Sequence, residues 1–191
     1  KAPVFSFQKL GAVEPSLGPE MKSTGEVLGL DYTFEAALYK ALIASGITFK
    51  SKGMVILTVG DEDKPAAIEI ARELHSRGYT LGATSGTHAA LESAGVPCRK
   101  MNKIKDGGDT LLSALFRGEV SLMVNTPQPG QSTGSDAARI RRACIETGVA
   151  CVTSVDTARA LARSLHLFED PSLASCMTIT EYVKGLGAKV R

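Results

Sequence analysis

The chain has 191 residues, 43% hydrophobic and 22% charged, with a formal net charge of +2; this is ordinary globular composition, enough for one full-sized domain with an appendage and too little for two. Charge this close to balance, with only six Phe and four Tyr to stack on bases, argues against nucleic acid or a membrane surface as partner, and no apolar run is long enough to span a bilayer. Four cysteines without a C-x-x-C pair and only three histidines argue against a metal site and fit reduced thiols in a cytoplasmic protein.

The chain opens Lys1-Ala2-Pro3 without Met and carries no signal pattern, so it reads as a piece of something longer. Residues 4–7 suit a short strand. Residues 11–29 are punctuated by Gly and Pro with neither helical nor strand period, and such a segment makes sense packed on a body outside the chain. Phe34, Ala37, Leu38, Ala41 and Leu42 then share one face of a predicted helix that Gly46 stops. The polar, Lys-rich stretch 45–53 is the natural boundary, which divides the chain into 1–45 and 46–191.

From residue 54 the pattern is regular. A continuous apolar strand over 54–59 leads to a helix over 65–77, with Asp63 as its cap, Pro65 in its first turn and Gly78 at its end. A strand over 79–83 leads to Thr84-Ser85-Gly86-Thr87, read as a turn, and a helix over 88–94 stopped by Gly95. A strand over 97–101, a helix over 110–117, a strand over 121–124 and a helix over 137–147 follow. A strand over 150–153, a helix over 157–165 and a last helix over 177–185 complete the order. Strands alternating with helices predict an α/β fold: three layers, with a mostly parallel five-stranded sheet covered on both faces and preceded by an irregular segment and one helix.

Ligands of open parallel sheets bind beyond the carboxyl ends of the strands. There the sequence places Lys64 among Asp61, Glu62 and Asp63, then Thr84-Ser85-Gly86-Thr87, Asn102-Lys103 and Asn125-Thr126-Pro127. Each has a plain structural explanation: Lys64 pairing with Asp61, Lys103 solvated, Asn125 opening a turn, Thr and Ser capping helices. Their recurrence at one end of the sheet favours an anion site, with the hydroxyl-Gly-hydroxyl group at the positive end of a helix dipole. Asp136 suits either a ribose hydroxyl or a helix cap. Cys98, Cys144, Cys151 and Cys176 read as core filler.

Gly18-Pro19-Glu20-Met21-Lys22-Ser23-Thr24-Gly25-Glu26-Val27 resembles the segment that closes the second synthetase unit of the carbamoyl-phosphate synthase large subunit. Thr84-Ser85-Gly86-Thr87, Asn102-Lys103 and Val124-Asn125-Thr126 resemble the allosteric domain that follows it. The resemblance implies that 1–45 is the tail of an ATP-grasp synthetase unit and 46–191 a methylglyoxal-synthase-like domain. That domain would regulate rather than catalyse, binding UMP, IMP or a related nucleotide. It further implies Lys64, Thr84, Ser85, Gly86, Thr87 and Lys103 for the effector phosphate, and Asn125, Thr126 and Asp136 for the nucleoside. Upstream synthetase units using ATP with Mg or Mn, a small glutaminase subunit and a cytoplasmic setting in pyrimidine and arginine synthesis belong to the same implication. No cofactor is expected in the chain itself, and homo-oligomerisation stays open.

The chain departs from the family in having Gly107-Gly108-Asp109 where many members have Gly-Arg-Pro, in lacking basic residues over 127–135, and in Ala2 where some members carry an ornithine-binding acid. The competing reading is a free-standing phosphate-binding enzyme of the methylglyoxal synthase type. Such enzymes use an Asp after Gly-Gly together with a His from the loop after the fourth strand. Asp109 fills the first position, but 126–137 contains no His, so Asp109 reads more simply as the cap of the helix at 110. The related inosinicase unit needs a Lys-Thr-Leu-His-Pro-like stretch that is missing here, and a purely structural oligomerisation module leaves the lysines without a role.

Overall fold

The computed structural model describes residues 1–5, 23–47, 49, 53–102, 104, 110–127 and 135–189. Its centre is a sheet of β3 (Met54–Thr58), β4 (Thr80–Thr84), β5 (Arg99–Met101), β6 (Val120–Asn125) and β7 (Ala150–Val152), in the order β5-β4-β3-β6-β7. Every pairing in it is parallel. The connecting helices are α2 (Lys64–Ser76), α3 (Ser85–Ser93), α4 (Leu111–Phe116), α5 (Asp136–Thr147) and α6 (Val155–Glu169). The three-layer α/β architecture expected from the alternation is the one observed.

Strand residues point alternately to the two faces, and β3 divides the core accordingly. Val55 and Leu57 pack with Leu74, Leu81, Leu91, Val124 and Leu161 under α2, α3 and α6. Met54 and Ile56 pack with Met101, Leu115, Met123, Ile140 and Cys144 under α4 and α5. Ile56, Leu57 and Met123 are fully buried, each contributing about 1.5–3 kcal/mol relative to exposure. Burial on both faces explains why β3 reads as an unbroken apolar run. Gly78 and Gly95, expected as helix stops, sit at φ 87° and 72°, where only a residue without Cβ is unstrained.

Before the sheet, β1 (Ala2–Phe5) pairs antiparallel with β2 (Ser23–Val27), and α1 (Phe34–Ala44) lies against α6. The strand β2 falls inside 11–29, the stretch read as having neither helical nor strand period. Its Ser-Thr-Gly-Glu-Val sequence has no apolar alternation, so pairing rather than pattern defines it. The face of α1 is also shifted: Ala36, Tyr39, Ala41 and Leu42 are buried while Phe34 is 65% exposed. After the sheet domain α7 (Ile179–Lys189) returns to α1. There the Lys40 ammonium bonds Asp31 Oδ2 at 2.8 Å, the Tyr182 hydroxyl at 2.6 Å and Leu30 O at 2.9 Å. Ser175 Oγ donates to the same Asp31 oxygen at 2.8 Å.

Several boundaries move for local reasons. The stretch 84–87 is not a free turn: Thr84 is the N-cap of α3, and Ser85, Gly86 and Thr87 form its first turn. Asp63 stands at the N-cap of α2 but makes no side-chain cap bond, because Asp61–Asp63 already forms a 3-10 turn. Thr110 caps α4 by accepting from Ser113 N, and Ser135 caps α5 by accepting from Ala138 N. The capping roles considered for Asp109 and Asp136 are thus filled by their neighbours, and Asp109 itself lies outside the described residues. Cys176 is exposed rather than core filler; Cys144 is buried, with Cys98 and Cys151 intermediate.

Candidate functional site

In the order β5-β4-β3-β6-β7 the chain runs outward from β3 to β5, then crosses back to place β6 on the other side of β3. The switch point therefore lies between β3 and β6, where diverging connections leave a crevice at the carboxyl ends. A cavity of about 330 Å³ occupies that position. Its lining comes from the ends of β3 (Thr58, Val59), β4 (Thr84) and β6 (Asn125, Thr126), from Asn102 beyond β5, and from the first turns of α2, α3 and α5. Register places these groups at one level: Leu57 stands opposite Ala83, and Thr58 opposite Asn125.

The rim is held by hydroxyls that bridge strands. Thr84 Oγ1 donates to Thr58 Oγ1 at 3.3 Å, and Thr87 Oγ1 accepts from Val59 N at 3.2 Å. Thr126 Oγ1 accepts from Gly60 N at 3.1 Å, while Thr126 N donates to Thr58 O at 3.2 Å. The Thr87 and Thr126 hydroxyls each satisfy a backbone N–H that would otherwise be stranded beside the cavity, while Thr84 and Thr58 pair their hydroxyls across the strand ends. They also make the opening of the cavity stiff, since the loop 59–60 is tied to both α3 and β6.

The first turn of α3 is different. Its N–H groups have no carbonyl one turn back, and the Thr84 side chain, engaged with Thr58, does not cap them. Gly86 faces the cavity with no side chain, and a Cβ placed on it would stand 3.7 Å from Lys64 Nζ. Lys64, the first residue of α2, thus holds its ammonium over the uncapped turn. The ammonium meanwhile bonds Asp61 Oδ1 at 2.7 Å. That bond holds the Asp61 carboxyl below its usual value, but Asp61 is 91% exposed, so an incoming anion displaces it at little cost.

On the opposite wall Asp136, Ala137 and Ile140 of α5 face the cavity. Asp136 lies 3.7 Å from Arg139 Nη1. Asn125, 1% exposed, accepts a 2.6 Å hydrogen bond on Oδ1 from Arg141 Nη1, itself 4% exposed.

Of the residues expected to form the site, the structure brings Lys64, Thr84, Gly86, Thr87, Asn125, Thr126 and Asp136 to this cavity. Ser85 belongs to the same helical turn but is not in the lining. Lys103, the 107–109 motif and the loop 128–134 lie outside the described residues. Thr58, Ile140 and Arg141 were not anticipated. Arg141 has a readable signal: it follows Ala138 and precedes Cys144 at three-residue steps, which puts it on the buried face of α5. None of the chain's three histidines (His75 in α2, His88 in α3, His166 in α6) lines the cavity.

Comparison with known proteins bears on the fold. Residues 66–153 match the family model described as the MGS-like domain. The structure resembles that of methylglyoxal synthase from Elizabethkingia anophelis NUHP1 at 17% identity and a TM-score of 0.51, over 67% of this chain and 94% of that one. A second similar structure is that of ForH, at 19% identity and a TM-score of 0.46, over 61% of this chain and 80% of that one. Residues 66–153 thus carry the MGS-like match, and the five-stranded part of the chain has the methylglyoxal-synthase-like fold.

Proposed function

We propose that the chain is the effector-binding region of a carbamoyl-phosphate synthase large subunit, taking a nucleoside monophosphate such as UMP or IMP in the cavity at the switch point. The observation that carries the reading is the uncapped first turn of α3 beneath the Lys64 ammonium. Backbone donors of an uncapped turn and a cation beside them suit a phosphate, with charge-assisted bonds stronger than neutral ones. On this reading Ser85, Gly86 and Thr87 hold the phosphate with Lys64, Thr84 and Lys103, while Asn125, Thr126 and Asp136 meet the nucleoside. The effector then biases ATP-dependent synthetase units upstream, in a cytoplasmic complex with a glutaminase subunit. The sequence resemblance at 18–27 and the MGS-like match support the assignment together.

The alternative is an enzyme of the methylglyoxal synthase type, for which Gly107-Gly108-Asp109 speaks in the sequence. Proton abstraction next to a carbonyl needs a partner for the developing oxyanion, and no histidine lines the cavity. Two assays decide. Millimolar UMP or IMP raises the melting temperature, since a ligand at a hundredfold excess over Kd stabilises by roughly 2.7 kcal/mol. Lys64→Ala lowers that affinity about tenfold or more. Incubation with dihydroxyacetone phosphate yields no methylglyoxal above background; turnover lost in Asp109→Asn replaces the regulatory reading with the enzymatic one.

A further inference from the structure

Asn125 ends β6 in the cavity wall, nearly inaccessible to solvent. A guanidinium has only donors, so the amide can meet Arg141 Nη1 at 2.6 Å solely through its oxygen. The usual ambiguity between amide oxygen and nitrogen is therefore removed by chemistry. Nδ2 is turned away from Arg141, and among the described residues it donates to no acceptor. Asn125 lines the cavity, and its Nδ2 is not among the fully buried side-chain atoms left without a partner, so it keeps access to the cavity, where a ligand oxygen can accept from it.

We infer that Arg141 is a positioning residue: it locks the Asn125 amide with its N–H₂ toward the cavity, so that the site selects ligands carrying an acceptor oxygen beyond their phosphate. The inference rests on the nucleotide reading and deepens it. Arg141 is not among the described residues that line the cavity, and its link to the site runs through the Asn125 amide. With the amide reversed, its oxygen would confront the ligand's oxygen, and attraction would become repulsion.

The test compares UMP with inorganic phosphate as probes, by calorimetry on the whole chain. Asn125→Asp keeps an acceptor for Arg141 and thus the local fold, but it presents a carboxylate oxygen instead of a donor. UMP affinity falls roughly tenfold or more, with a much smaller change for phosphate. Arg141→Met lowers UMP affinity by roughly three- to tenfold, and Arg141→Lys, which restores a donor, recovers most of it. Lys64→Ala weakens both probes alike. Wild-type UMP affinity in Asn125→Asp, or in folded Arg141→Met, overturns the inference, as does equal loss of both probes in either variant. Should Arg141→Met not fold, Asn125→Asp alone decides. A wild-type chain that binds neither probe rejects the nucleotide reading itself, and the inference with it.

Discussion

Gly86→Ala separates what the first turn of α3 does for folding from what it does for a ligand. Gly86 is helical, with no positive φ, and among the described residues an added Cβ finds only Lys64 Nζ within 4 Å, at 3.7 Å. That is ordinary van der Waals contact, so the folded state accepts the methyl. The unfolded chain loses freedom, and the substitution stabilises by about 0.4–1 kcal/mol, a rise of roughly 1–4 °C in melting temperature for a chain of this size. The same methyl enters the space between the ammonium and the backbone donors, where an anion oxygen within about 2.8 Å of Nζ belongs. Losing one charge-assisted bond at about 1.5–3 kcal/mol lowers UMP affinity by roughly ten- to a hundredfold. Thermal melts without ligand and calorimetric titration with UMP read the two effects independently. Higher stability with undiminished affinity would refute the placement of the phosphate on this turn. Lower stability would instead show that the glycine serves the backbone.

Acid should loosen the attachment of α7 to α1. Burial raises the Asp31 pKa, but hydrogen bonds from Lys40, Ser175 and Tyr32 N–H outweigh it, and the net value lies below the ordinary 3.8. The stabilisation is therefore present above about pH 4 and is lost as pH falls through the depressed value; Asp31→Asn should flatten the acid limb of urea midpoints, and an unchanged limb contradicts the linkage. Lys40 is raised above 10.5, with burial opposing the bonds to Asp31 and Tyr182, so its contribution persists below that pH and disappears only as pH climbs through the raised value. Thiol labelling should follow exposure: Cys176 reacts first, while Cys144, whose pKa is pushed up by its hydrogen bond with Cys151 and by burial, reacts only on unfolding. Labelling of native Cys144 at the rate of Cys176 would contradict the packing of α5 on β7.

The α/β alternation, the helix stops at Gly46, Gly78 and Gly95, and the concentration of Lys, Thr and Asn after the strands were all legible along the chain. Each is a local property: an apolar run buried on both faces, a residue free of Cβ strain, or polar groups at the loop that follows a strand. Three things were decided only by assembly. The strand β2 exists because β1 pairs with it, and nothing in its own composition asks for a sheet. The return of β6 to the far side of β3 creates the cavity, and strand order is a long-range choice with no local code. The direction of the Asn125 amide depends on an arginine sixteen positions away in another element. Residue type supplies donors and acceptors, but which of them face one another is set when the layers pack.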